Sequence, residues 1–187
     1  MFSNLIKETT DAISAAINGT DDVISSLRGA VKGQVIGSIQ DVGEMGTSGM
    51  DAIVDIATGA IKSVGAVGAS LSEVTANSVS AVISGVADVG GDVVSATKNA
   101  AKGAIKGASD IGGSIEEAAV SAVAGAIKGA ELVGTSTTDA ARAAVMGVVQ
   151  GADDLGSEAG QAVRKALLAT AALPHDLVDT VLQGSDK

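Results

Sequence analysis

The chain has 187 residues, 46% of them hydrophobic, and its 22 acidic and 12 basic residues give a formal net charge of −10. This charge argues against a nucleic-acid partner, because Lys and Arg supply most of the affinity for phosphates. The absence of cysteine excludes disulfides and thiolate metal sites. Phe2 is the sole aromatic residue, so a core must consist of Ala, Val, Ile and Leu on backbones that lie close together.

The first 46 residues predict two helices that match the later pattern only loosely. Lys7, Glu8 and Asp11 interrupt the apolar core that a signal peptide would need. The stretch NGTDD at 18–22 combines a helix stop with a helix start. The longest uncharged run, residues 74–87, is shorter than the ~20 apolar residues of a membrane-spanning helix. We therefore expect a cytoplasmic protein without a transmembrane segment.

From residue 47 onward the sequence repeats every 22 residues. The blocks that align without a gap begin at Thr47, Ala69, Gly91, Gly113, Thr135 and Ser157. Within a block, apolar residues recur at spacings of three and four, as at Ile115, Ala119, Val123, Ala126, Ala130 and Val133. This spacing indicates one face of an α-helix. Because repetition at this length is typical of stacked supersecondary units, we predict an all-α repeat array.

In the blocks from Gly91, Gly113 and Thr135, one flank of the predicted helix carries only Ala and Gly. Gly in a helix interior costs about 0.5–1 kcal/mol relative to Ala, so several per helix indicate close packing that offsets the loss. Such flanks let helices approach almost backbone to backbone, although drift toward small residues is the alternative. The predicted helix-packing seam comprises Gly103, Gly107, Ala118, Ala122, Gly125, Gly129, Ala140, Ala144, Gly147 and Gly151.

The block junctions distinguish short helices from one long rod. A 22-residue period is twice eleven, and an 11-residue period can run through a continuous helix. Most blocks, however, end in Gly and then offer an N-cap residue with an acid three positions on, as in Ser70 with Glu73. We predict about eight amphipathic helices of roughly 16–19 residues, stacked as antiparallel hairpins, a bundle or a solenoid. Long continuous helices with an 11-residue period are the alternative.

The pattern predicts a single helical-repeat domain over residues 1–187. It divides into loose N-terminal helices at 1–46, regular 22-residue repeats at 47–178 and a short C-terminal tail at 179–187. Pro174 interrupts the last repeat and opens a short final helix.

No residue pattern predicts catalysis or a cofactor. His175 is the only histidine, and no Ser or Thr has a histidine partner near it in the sequence. There is no GxxxxGK[ST] phosphate loop and no EF-hand spacing, although Asp153-Asp154 could hold a divalent cation weakly. Lys106 can pair with Asp110 one helical turn later. We predict that the protein is not an enzyme and has no metal site.

Three functions fit this pattern. The first is a non-enzymatic structural or assembly protein, whose close-packed helices also join copies into a homo-oligomer or a larger assembly. The second is an amphipathic coat on a lipid, droplet or storage-granule surface. The third is a stress protectant that becomes helical on drying or binding.

The stretch KGAIKGASDIGGSIEEAAVSAVAGAIKGAELVG (102–134) resembles the 11-residue-period helices of synucleins, perilipins and late-embryogenesis-abundant proteins. The resemblance covers most of the chain, consists of period and composition, and implies the second and third functions. The chain departs from those lipid binders in being acidic and in lacking large apolar anchors. A mean hydropathy of +0.39 argues against full disorder. We therefore expect self-assembly to be the main function.

Overall fold

A computed structural model describes residues 2–17, 22–42, 47–171 and 173–185. Their regular structure is entirely helical, which confirms the predicted all-α array. The helices are α1 (Phe2–Ile17), α2 (Val23–Val42), α3 (Thr47–Lys62), α4 (Val64–Val67), α5 (Leu71–Asp88), α6 (Val93–Asp110), α7 (Ile115–Val133), α8 (Thr137–Leu155), α9 (Ser157–Ala169) and α10 (His175–Ser185). All except the four-residue α4 have eleven residues or more.

Glycines in the left-handed conformation end the repeats, so the alternative of long continuous helices is wrong. Gly68, Gly90, Gly112 and Gly134 have φ between 67° and 71° and follow one another at the 22-residue period. Glycine reaches this region without the penalty that a Cβ atom imposes. After α5 and α6, the next amide closes the turn: the Gly91 and Gly113 N–H groups donate to Val86 O and Ala108 O over 2.9 Å and 2.8 Å.

The following helices begin at side-chain caps. The Ser70 hydroxyl accepts from the Glu73 N–H and the Glu73 carboxylate accepts from the Ser70 N–H, which completes a capping box at the start of α5. The helices α6, α7 and α8 also begin at an N-cap side chain that accepts from backbone N–H groups of the first turn. The N-cap residues are Asp92, Ser114 and Ser136. Stop and start signals thus alternate within four or five residues, and the chain turns back at each junction.

The helices form two layers. The first layer contains α1, α3, α6, α8 and α10, and the second contains α2, α5, α7 and α9. Successive long helices alternate between the layers, but the largest interfaces join neighbours within one layer, such as α6 with α8. Gly103 faces Val54, and Gly107 faces Thr58 one turn later on both helices, so α3 and α6 run in the same direction. The closest partners are therefore parallel helices, not the antiparallel ones that follow each other in sequence.

The core lies between the layers and consists of small and β-branched side chains. Its largest fully buried members include Ile13, Leu27, Ile53, Ile56, Ile61, Ile83, Ile105 and Leu167. Residues 179–185 belong to α10, where the sequence predicted a tail, and Val181 and Leu182 are buried there. Leu173 is buried beside Pro174, at the turn that leads into this last helix.

Candidate functional site

The ten predicted seam residues are buried, and the glycines among them lie directly against a parallel helix. A Cβ atom added to Gly107 would lie 2.9 Å from Thr58 O and 2.7 Å from Ile61 Cβ. One added to Gly103 would collide with Val54 O, and one added to Gly125 with Ala76 O. The seam thus places the glycine of the later helix on the carbonyl oxygens of the earlier helix, a geometry suited to Cα–H···O contacts.

The same geometry holds in both layers. In the first layer Gly147 and Gly151 of α8 meet Lys98 O and Lys102 O of α6, and in the second Gly129 of α7 meets Ser80 of α5. The predicted alanines at 118, 122, 140 and 144 are also buried on these helices. The structure therefore distributes the predicted glycines over three seams, α3–α6 and α6–α8 in the first layer and α5–α7 in the second.

Two threonine hydroxyls bond across the seams of the first layer. Thr58 Oγ1 lies 2.8 Å from Val54 O in its own helix and 3.1 Å from Gly103 O in α6. Thr10 Oγ1 lies in the same way 3.2 Å from Gly59 O of α3. These bonds are possible because the glycine brings the opposite carbonyl within reach. Periodicity alone gave no signal for them.

The helix α2 carries the same glycine flank without a helix against it. The carbonyl oxygens that face Gly85, Gly107 and Gly151 mark equivalent positions, and they belong to Lys32, Thr58 and Lys102. The next residue in each helix is a glycine. Gly59 and Gly103, which follow Thr58 and Lys102, each lie in a seam. Gly33, which follows Lys32, is therefore their equivalent in α2. Neither Gly33 nor Gly37, one turn later, has an atom within 4 Å of a Cβ built on it. The flank of α2, defined by Gly33 and Gly37, is thus unoccupied within the described part of the chain.

Ion pairs cross the outer surface between parallel helices. They are Lys32–Asp88 at 2.6 Å, Lys62–Asp110 at 3.1 Å and Lys102–Asp154 at 2.7 Å. Asp110 therefore pairs with Lys62 of α3, where the sequence suggested Lys106 one turn away. Because both partners in each pair are about a third or more exposed, each pair contributes at most about 1 kcal/mol.

The predicted acid pair Asp153-Asp154 is divided between two cations. Arg164 of α9 donates two hydrogen bonds to the Asp153 carboxylate, both of 2.8 Å, while Asp154 pairs with Lys102 of α6. Among the described residues, no group of three His, Asp or Glu side chains is placed to hold a metal ion. His175 lies exposed at the first position of α10.

Asp55 is a buried acid that sequence reasoning missed. It is 4% exposed, and no hydrogen-bond donor among the described residues reaches its Oδ2. Burial raises the pKa of Asp55; Lys106 opposes this shift, and Asp51 adds to it. These three side chains, with Asn99 and Lys102, line a shallow groove of about 370 Å³ between α3 and α6. By contrast, hydrogen bonds from Ser95 lower the pKa of the N-cap Asp92.

A second groove lies between α6 and α8 on the outer surface. It consists of two adjacent cavities of about 230 Å³ each, and Lys98 and Met146 line both of them. Val94 and Met146 are 46% and 42% exposed, which is unusual for apolar side chains in this array. The sequence carries a weak signal for this groove: positions 94 and 146 are apolar where three of the five other repeats have a polar residue.

None of the helices in the described ranges combines the length and the apolar character needed to span a bilayer. No protein-family model matches the chain, and no curated protein matches it.

Proposed function

We propose that this chain is a non-enzymatic structural protein that self-associates by packing the open glycine flank of α2 against the same flank of a second copy. The observation that carries the proposal is the free flank of α2. Gly33 and Gly37 hold the positions that Gly103 and Gly107 hold in α6, where they receive the parallel helix α3. Since glycines within a helix cost stability, an unoccupied pair at seam positions favours a partner helix outside the described fold.

The two ends of the array support a closed dimer. At the C-terminal end the helices are short, with 13 residues in α9 and 11 in α10, against 18 or 19 in α5 to α8. Short or altered terminal units are typical caps of repeat arrays. The free flank of α2 lies at the other end. A chain with one open end joins a second copy through that end, which gives a two-fold symmetric dimer.

Sedimentation velocity on the full chain tests this proposal. We expect a concentration-dependent dimer for the wild type and at least a roughly tenfold weaker dimer for Gly33→Leu, because a side chain there separates the two helices. The fold of this variant should survive, since no atom of the described residues lies within 4 Å of a Cβ at that position. Gly65→Leu is the matched control: it is also helical and equally open, but lies in α4, away from the flank.

A wild type that stays monomeric into the millimolar range, or a Gly33→Leu variant that dimerises like the wild type, would contradict the proposal. Far-UV circular dichroism on the same samples separates it from the other two functions. A structural protein of this fold is helical in dilute buffer. An amphipathic coat protein becomes helical only with vesicles, and a stress protectant only on drying or binding.

A further inference from the structure

The groove between α6 and α8 combines an apolar floor with free cations. Val94, Ala143 and Met146 contribute the apolar surface of one half, and Val149 extends it in the other. Between Ala143 and Asp153, α8 rises about 15 Å at ~1.5 Å per residue. The groove is therefore elongated, narrow and open to solvent along the outer surface of the first layer.

The apolar residues of this groove depart from the repeat. Most positions equivalent to Met146 are polar (Thr58, Ser80 and Lys102, against Ala124 and Leu168), and so are most of those equivalent to Val94 (Ser72, Glu116 and Thr138, against Met50 and Gly160). Packing within the array does not require an apolar side chain there, because both Met146 and Val94 are more than a third exposed. What distinguishes this groove is that two exposed apolar side chains lie together beside Ala143 and Val149, so they form a patch and are not scattered singly.

The charges at the groove favour an anion. Within the described ranges, no carboxylate oxygen lies within 4 Å of a Lys98 or Arg142 nitrogen. Of the two acids that line the groove, Asp153 is held by Arg164, which leaves Asp139 to balance two cations. An excess of positive charge beside apolar surface is notable on a chain whose net charge is −10.

We propose that this groove binds a single-chain anionic amphiphile, such as a long-chain carboxylate. The chain would lie on Val94, Met146 and Val149, and the head group would contact Lys98 and Arg142. A zigzag carbon chain of ~1.5 Å bonds covers the length of the groove with about a dozen carbons. This site does not depend on the free flank of α2, so it stands or falls separately from self-association.

Isothermal titration of the full chain with sodium dodecanoate, below its micelle concentration, tests the site. We expect saturable binding of one dodecanoate per chain. Met146→Gln should weaken it roughly tenfold, because apolar contact is lost. The control is Leu132→Gln, which changes an even more exposed apolar residue on α7, and it should leave binding unchanged. The double variant Lys98→Gln/Arg142→Gln should weaken binding about fivefold or more, with Lys106→Gln as its control.

Three results would overturn the proposal. The first is the absence of saturable binding. The second is equal weakening by Met146→Gln and Leu132→Gln, which would mean that dodecanoate adheres to any exposed apolar residue. The third is binding to phosphatidylglycerol vesicles without binding to dodecanoate monomers, which would indicate a membrane surface as the ligand.

Discussion

At the residue scale, the glycines divide into those against a helix and those in open space. A Cβ at Gly107 would be too close to Thr58 O and to Ile61. A Cβ at Gly29 of α2 would have no atom of the described residues within 4 Å. The same substitution should therefore have opposite effects at the two positions. Gly to Ala adds helix propensity in both cases, but only at Gly107 does it force two helices apart.

We predict that Gly107→Ala lowers the free energy of unfolding by about 1–3 kcal/mol. Gly29→Ala should raise it by about 0.5–1 kcal/mol, since Ala restricts the unfolded chain and favours the helix. Urea unfolding followed by circular dichroism, at a protein concentration low enough to avoid association, measures both. Equal gains in stability at the two positions would show that the seam glycines are not constrained by packing.

The buried acid Asp55 predicts a pH dependence of stability. Burial raises its pKa in the folded state, so the folded protein holds this proton more tightly than the unfolded chain does. The stability contributed by the protonated group is complete below the unfolded pKa of about 3.9 and is lost as the pH rises through the folded pKa. Asp55→Asn cannot lose a proton, so its stability relative to the wild type should increase as the pH rises from about 4 to 7.

Urea unfolding at several pH values measures this difference. Glu131→Gln, which neutralises an exposed carboxylate on α7, is the control and should show a much flatter difference from the wild type. If the difference between Asp55→Asn and the wild type is the same at every pH, Asp55 is not held in an environment that penalises its charge.

At the element scale, the sequence determined where the helices begin and end. Ser70 with Glu73 and the glycines at the 22-residue period are local signals, and the structure has a capping box and left-handed glycines at those places. These signals act over a few residues, so they can be interpreted without knowing the fold. A long continuous helix was a competing prediction because the 11-residue period, taken alone, contains no information on these stop and start signals.

Which helices pack together was not predictable in the same way. Every repeat carries a similar small flank, so the flank indicates that a close partner exists but not whether it is the next helix or the one after it. The parallel pairing and the Thr58 bond to Gly103 O follow only from the two-layer arrangement. Asp55 was missed for the same reason, because the residues of α6 that line its groove lie far from it in the sequence.

At the scale of the whole molecule, close backbone approach replaces bulky side chains. The chain has one Phe and neither Trp nor Tyr, and the core is largely Ala and Val. The ion pairs between parallel helices are partly exposed, so they contribute little and should be screened by salt. The fold depends mainly on the seams, and the proposed dimer would add a close interface between the glycine flanks of two α2 helices.

A designed disulfide tests the parallel pairing directly, because the chain has no cysteine of its own. The hydroxyls of Ser72 in α5 and Ser121 in α7 lie 2.6 Å apart. The double variant Ser72→Cys/Ser121→Cys should therefore form an intramolecular disulfide under mild oxidation. Mass spectrometry of the denatured, unreduced protein should find the mass of a single chain, and thiol counting should find no free thiols. Two free thiols, or only intermolecular crosslinks, in a chain that keeps its helical circular dichroism would contradict the two-layer packing.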